Sequence, residues 1–131
     1  MRGMDTNVLV QYFTGQDPVA FQAVDQAMER ARTDGEKFFV TGLVLCELDR
    51  LLSHDYGMER AAVANVLDQL MHLDLFEIEN RELALRAMEQ YRGGAGDFAD
   101  YLMSHIGRRA GCRDTLTLDP LIKRERGFSA P

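Results

Sequence analysis

Five acidic residues stand at positions from which a single crevice could collect them. Asp5 lies near the end of the first expected strand, and Asp119 directly follows the last one. Asp97 and Asp100 begin a predicted helix and, being three residues apart, share one of its faces. Glu47 flanks the otherwise apolar stripe of an earlier helix. Because open parallel sheets bind ligands beyond the carboxyl ends of their strands, the five side chains could meet at one edge.

Such a group of carboxylates has a definite chemistry. Clustered carboxylates repel one another and are tolerated when a cation lies among them. Hard oxygen ligands favour Mg²⁺ or Mn²⁺ over softer metals. These ions activate a water for in-line attack on a phosphodiester and stabilise the leaving oxygen. The five residues therefore indicate a divalent-metal hydrolase site.

Each acidic residue also has a purely structural interpretation. Asp97 is suited to cap a helix, and Asp100 at the third helical position would complete a capping box. Asp5 could form an Asx turn, and Asp119, which precedes a proline, is a common turn initiator. Glu47 could be an ordinary glutamate at the edge of an apolar stripe. Spacing alone leaves both interpretations open.

Softer metals and thiol chemistry find little support. The histidines His54, His72 and His105 show no zinc-ligand spacing with each other or with Cys46 and Cys112. The two cysteines are expected to be reduced thiols, and His105 to have a packing or surface role. The remaining aspartates are interpreted as caps, turns and solvated positions, with Asp49 among them.

The elements that must position these residues predict one α/β domain over residues 1–131. Apolar periodicity and turn signals predict helices over 18–33, 43–54, 58–71, 81–91 and 97–110, and strands over 38–41, 73–78 and 115–118. Strands separated by helices imply parallel pairing. We expect a three-layer α/β/α sandwich with a short parallel sheet of four to five strands.

The net charge of the chain is not typical of a nucleic-acid-binding protein. The chain carries 21 acidic and 15 basic residues, for a net charge of −6. Basic residues nevertheless crowd its last quarter, where they could form a positive rim or a solvated surface: Arg108, Arg109, Arg113, Lys123, Arg124 and Arg126. No apolar run is long enough for a membrane span and no signal peptide is evident, so no membrane association and a cytoplasmic location are expected.

Four motifs, in this order, resemble the PIN-domain family and, within it, the VapC-type toxins. They are Asp5-Thr6-Asn7, Leu45-Cys46-Glu47-Leu48, Gly96-Asp97-Phe98-Ala99-Asp100-Tyr101-Leu102 and Thr117-Leu118-Asp119. The resemblance runs from Met4 to about Lys123. One departure is the short segment before Asp5, because Arg2-Gly3 makes a poor core strand.

The resemblance implies an RNA endonuclease that uses Mg²⁺ or Mn²⁺, forms a homodimer and is silenced by an antitoxin. Asp5, Glu47 and Asp100 match the family's core acidic positions, Asp119 matches its fourth acid, and Asp97 matches an acid of one branch. Polar residues that would brace these carboxylates are Thr6, Asn7 and Thr117. The basic residues of the last quarter would then hold flanking phosphates of the RNA.

Three other functions remain open from the sequence. A catalytically silent PIN-like binding module would keep the shape without the chemistry, but no acidic position is missing. An aspartyl-phosphate-type phosphatase would need a second aspartate two residues after Asp5, where Asn7 stands. A structural α/β domain would use its carboxylates as caps and bind no divalent ion tightly.

Overall fold

The structure, a computed structural model, describes all residues from 1 to 131. Its six α-helices are α1 (Thr6–Thr14), α2 (Pro18–Asp34), α3 (Gly42–Arg50), α4 (Arg60–His72), α5 (Arg81–Gly93) and α6 (Phe98–Arg109). Its five short strands are β1 (Arg2–Gly3), β2 (Phe38–Val40), β3 (Phe76–Ile78), β4 (Thr115–Leu116) and β5 (Phe128–Ser129). No helix combines the length and the apolar character that crossing a membrane requires.

A parallel sheet of three strands lies at the centre of the fold. Its order is β1-β2-β3, and Phe38 of β2 pairs with Arg2 on one side and with Phe76 on the other. Phe38 and Val40 of β2 and Phe76 and Ile78 of β3 are buried, whereas both residues of β1 are exposed. The predicted α/β class with a short parallel sheet is confirmed.

The last strand differs from its prediction. Only Thr115–Leu116 is extended, and it pairs with Phe128–Ser129 in a separate two-stranded parallel sheet. Leu116 is 64% exposed and Leu118 is 88% exposed, so the prediction of a core strand over 115–118 is wrong. Alternating threonine and leucine fits an extended chain, but here no layer of helices covers the leucines. The expected single sheet is therefore divided into two.

Helix α3 is shorter than its periodic pattern. It ends at Arg50, and Leu51–Asp55 continues as one π-helical turn, in which the Tyr56 N–H donates to the Leu51 carbonyl at 3.1 Å. The wider turn accompanies a hydrogen bond of 3.0 Å from the Ser53 hydroxyl to Asp49. Such turns are frequent near functional sites.

Helix α3 occupies the middle of the molecule and carries Glu47. Its apolar side chains Leu45 and Leu48 are fully buried, and the helix packs against α1, α4 and α6. The Thr41 hydroxyl caps it by accepting from the Val44 N–H at 3.1 Å. The central helix thus connects the element that follows Asp5 with the element that carries Asp100.

Truncation of the buried stripe of α3 tests this arrangement. Leu45→Ala is expected to lower the free energy of unfolding by about 2–5 kcal/mol, because it opens a cavity in a closely packed core. Leu43→Ala on the same helix is the matched control, since Leu43 is 71% exposed. Urea denaturation measures both. Equal effects of the two variants would contradict the described packing.

Candidate active site

The first turn of α6 carries two of the five acidic residues. Asp97 is the capping residue, and Asp100 accepts the Asp97 backbone N–H through Oδ2 at 2.8 Å. The structural interpretation of this pair is therefore confirmed. The capping role uses only one carboxylate oxygen of Asp100, because the second oxygen, Oδ1, accepts no hydrogen bond. One oxygen fixes the side chain and the other remains available to a ligand.

Asp119 is arranged in the same way. Its Oδ1 accepts the backbone N–H groups of Leu121 at 2.8 Å and of Ile122 at 3.2 Å, as expected for a turn initiator. The Thr117 hydroxyl accepts the Asp119 N–H at 3.1 Å, which braces the turn. The second oxygen of Asp119 has no hydrogen-bond partner.

The structure brings Asp97, Asp100 and Asp119 together. Partial burial raises the pKa of Asp100, and the negative charges of Asp97, Asp119 and Glu125 raise it further, although the Asp97 N–H opposes them. None of the molecule's ion pairs involves any of the five predicted acids. No salt bridge therefore compensates the charge of this cluster.

Glu125 is an acidic member of this cluster that the sequence reasoning missed. The Tyr101 hydroxyl lies 2.8 Å from both Glu125 carboxylate oxygens and accepts the Gly96 N–H at 2.8 Å. Burial, with the Glu125 hydrogen bond, raises the pKa of Tyr101 to about 12. A Cβ at Gly96 would lie 2.9 Å from Asp100 Oδ2, so a larger residue at this position would displace the Asp100 side chain. Glu125 belongs to a charged carboxy-terminal run in the sequence, and no local signal separates it from its neighbours.

Asp49 was interpreted as a cap, turn or solvated position, and that prediction is wrong. The residue is only 2% exposed. Its Oδ1 accepts the Tyr91 hydroxyl at 2.8 Å, and its Oδ2 accepts the Phe98 backbone N–H at 2.9 Å. Phe98 is the first residue of α6, so Asp49 ties that helix to α3 beside Asp97. A buried carboxylate needs such donors to offset its lost hydration.

Arg60 secures the loop that precedes α6 from another side. Its Nη1 donates to the Gly96 carbonyl at 2.8 Å and to the Tyr91 carbonyl at 2.9 Å. The guanidinium lies over the Tyr91 ring, 4.4 Å from its centroid. A single arginine at the start of a helix gives no sequence signal for this role.

Asp5 and Glu47 lie on neighbouring elements. Asp5 follows β1 and caps α1, accepting the Thr6 N–H through Oδ1 at 2.8 Å. The buried Thr6 hydroxyl has no hydrogen-bond partner. Glu47 is exposed on α3 and makes neither a hydrogen bond nor an ion pair, and the same holds for the Asn7 side chain. Asp5 and Glu47 therefore each keep at least one carboxylate oxygen that accepts no hydrogen bond.

The convergence of all five carboxylates stays a prediction. No three histidine, cysteine, aspartate or glutamate side chains stand in an arrangement that could hold a metal ion. Asp5, Asp100 and Asp119 each direct one oxygen to a nearby backbone N–H, and their free oxygens do not form a ligand set in this structure. Cys46, next to Glu47, lies close enough to Asp100 that the two interact. Burial, then the charges of Asp49 and Asp100, raise the pKa of Cys46 to about 11.

The available donors nevertheless fit a hard divalent cation. Asp5, Glu47, Asp100 and Asp119 offer carboxylate oxygens that no hydrogen bond occupies, which is the ligand type that Mg²⁺ and Mn²⁺ prefer. The like charges around Asp100 favour a cation in the same place. The orphaned Thr6 hydroxyl, one residue from Asp5, adds a buried polar atom without a partner.

The six basic residues predicted to contact RNA are all exposed, and their role stays a prediction. Arg109 pairs with Glu82 at 3.8 Å, and Arg113 pairs with the adjacent Asp114 at 3.7 Å. Lys123 and Arg124 lie in a short 3-10 turn soon after Asp119: Ile122–Arg124. The remaining two, Arg108 and Arg126, line a common pocket.

Two comparisons with known proteins bear on the family of this chain. The PIN domain family model matches residues 4–126, which confirms the family resemblance carried by the four motifs. The chain is also 27% identical over 124 residues to a VapC ribonuclease of Aquifex aeolicus (strain VF5). That match covers 95% of this chain and 91% of the relative.

The Asp49 anchor has a measurable consequence for stability. Asp49→Asn is expected to lower the free energy of unfolding by about 1–3 kcal/mol, because the amide NH₂ of asparagine would face a buried donor. Asp55→Asn in the following π-helical turn is the control, since Asp55 is exposed and unpaired. Its effect should stay within about 0.5 kcal/mol in urea denaturation. A neutral Asp49→Asn would contradict the anchoring role.

Neutralising Asp100 is expected to stabilise the fold, in contrast to neutralising Asp49. The pKa of Asp100 is higher in the folded than in the unfolded chain. Ionised Asp100 therefore destabilises the fold fully at pH values above the folded pKa, and this effect is absent at pH values below the unfolded pKa. Asp100→Asn, which can still accept the Asp97 N–H, should therefore raise the melting temperature in EDTA at neutral pH. The advantage should vanish in acid. Scanning calorimetry across pH, with exposed Asp25→Asn as control, would refute this if Asp100→Asn never exceeds the wild type.

Proposed function

The chain belongs to the PIN domain family, and on that premise we propose that it is a divalent-metal-dependent endoribonuclease, the toxin of a toxin–antitoxin pair. One observation carries the proposal. The negative charges of Asp97 and Asp119 act on Asp100 at the start of α6, and none of these three carboxylates forms a salt bridge. An uncompensated cluster of hard oxygen donors suits a site for divalent cations.

The residues that would hold the metal are Asp5, Glu47, Asp100 and Asp119, with Asp97 beside them. When bound, Mg²⁺ or Mn²⁺ would supply charge compensation on the phosphodiester and a water of lowered pKa. The carboxylates would orient and share that charge through the oxygens that their backbone hydrogen bonds leave free. This division of each carboxylate into a fixed and a free oxygen supports the proposed role.

Other residues of the chain would keep the site in place. Asp49 and Arg60 hold the first turn of α6 and the loop before it, through the Phe98 N–H and the Gly96 carbonyl. Thr117 braces the turn of Asp119. We propose that Thr6 and Asn7 orient Asp5 in the same sense. Positioning groups of this kind commonly affect metal affinity or activity by roughly 10–100-fold.

The substrate and partners follow from the same proposal. Single-stranded or looped RNA presents a splayed backbone that can enter an open acidic crevice. The similarity to a VapC ribonuclease supports RNA as the substrate and an antitoxin as the protein partner. A homodimer and action in the cytoplasm are further parts of the proposal.

Ribonuclease activity is the direct test. With Mg²⁺ or Mn²⁺, the purified chain should cut total cellular RNA into discrete fragments, and EDTA should abolish cleavage. Asp5→Asn and Glu47→Gln should each reduce the cleavage rate by roughly 100-fold or more, because each removes a proposed metal ligand. Exposed Asp25→Asn should leave the rate unchanged.

The contradicting outcomes are distinct. Absence of cleavage with either metal would indicate a catalytically silent binding module of the same family. Cleavage that survives Asp5→Asn would indicate a contaminating nuclease.

A further inference from the structure

A cavity lies between α5, α6 and the segment before β5. Its volume is about 850 Å³, and none of the five predicted acids lines it. Its polar lining includes Arg86, Gln90, Ser104, His105, Arg108 and Arg126. Three arginines therefore line one pocket of a chain whose net charge is −6.

A smaller cavity of about 290 Å³ continues this basic pocket. It shares Arg86, His105 and Arg108 with the larger one and adds Arg109. Arg86 and Arg109 both contact Glu82, at 2.7 Å and 3.8 Å. The guanidinium groups of Arg108 and Arg126 have no acidic partner and no hydrogen bond, although Glu89 also lines the pocket. Two cationic groups are therefore available to a ligand.

Hydrogen bonds among its own residues hold the pocket in shape before any ligand binds. His105 Nε2 lies 3.1 Å from Gln90 Oε1, and Gln90 Nε2 donates to the Arg126 carbonyl at 3.0 Å. This chain of contacts fixes the Arg126 backbone against α5 and α6. Burial lowers the pKa of His105, and the charges of Arg86, Arg108 and Arg126, which line the same pocket, lower it further.

The basic pocket and the acidic cluster lie along one face of α6. Asp100, Ser104 and Arg108 follow each other at intervals of four residues, so they share a helical face. At 1.5 Å per residue, Asp100 and Arg108 are about 12 Å apart along the axis. An RNA strand of a few nucleotides that is held at the acids could therefore extend to the arginines.

We propose that this pocket is a phosphate subsite, in which Arg108 and Arg126 bind a backbone phosphate of the RNA away from the cleaved bond. The proposal rests on the proposed ribonuclease function. Guanidinium groups bind phosphate oxygens in a bidentate manner, and this is the chemistry that the unpaired arginines offer. An acidic protein segment is less suited, since Leu85 is the pocket's only apolar lining residue and protein interfaces depend on apolar anchors.

The test measures RNA affinity separately from cleavage. In EDTA, fluorescence anisotropy follows binding of a labelled, mixed-sequence single-stranded RNA of about 12 nucleotides to the full chain. The double variant Arg108→Gln/Arg126→Gln should bind at least roughly tenfold more weakly at low salt. Its plot of log affinity against log salt should be shallower by about 0.7, the change expected for one lost phosphate contact on a single strand. Arg30→Gln, on α2, is the matched control and should behave as the wild type.

The alternatives give different results. An unchanged affinity and salt slope in the double variant, beside a wild type that cleaves RNA, would overturn the subsite and leave the ribonuclease standing. Loss of binding to a polyglutamate peptide with RNA binding intact would overturn it in favour of an acidic protein segment. A wild type that cleaves nothing refutes the proposed function, and weaker RNA binding by the double variant would then support the pocket independently. Equal urea midpoints of all variants exclude misfolding as the cause.

Discussion

The buried carboxylate of Asp49 accepts the Tyr91 hydroxyl and the Phe98 backbone N–H, and the placement of the acidic groups on α6 depends on this tie. Removing a carboxylate from water is unfavourable unless hydrogen bonds replace its hydration. Here the donors come from three separate parts of the chain, since Ser53 also contributes. The burial of one charge therefore locks α3, α5 and the start of α6 into a single relative position.

The fixed position of α6 also brings like charges close to one another. With α6 held in place, Asp97, Asp100, Asp119 and Glu125 lie near one another, and the pKa of Asp100 rises through burial and these charges. Strained or repulsive groups that persist at one place are characteristic of functional sites. The arrangement that makes the carboxylates repel one another is also the one that would favour a bound cation.

The charge distribution resolves the apparent conflict between an acidic protein and an anionic substrate. The net charge sums over the whole chain, but a ligand senses the local field. On α6 the acids occupy the first turn and the arginines the second half, so the two signs are separated along one helix. The last residues of the chain complete both regions, because Glu125 joins the acidic cluster and Arg126 joins the basic pocket.

Much of the fold could be predicted from the sequence because its signals are local. Asp17 and Pro18 begin α2 and Gly35 ends it, and the helical period marks the buried stripe of α3. The position of Asp97 and Asp100 at the start of α6 follows equally from cap chemistry. The family motifs, read in order, added the expected function, which no single spacing could supply.

Tertiary structure alone decided which acids are buried, paired or free. Glu47 and Asp49 stand two residues apart on one helix, yet the first is exposed and the second is 2% exposed. Asp49 meets Phe98 across 49 residues, and Glu125 meets Tyr101 across 24. The failed core strand at Thr115–Leu116 has the same cause, because its only partner, Phe128–Ser129, lies outside the main sheet. Period and capping are properties of a few neighbouring residues, whereas burial and charge coupling depend on which distant segments come to lie against them.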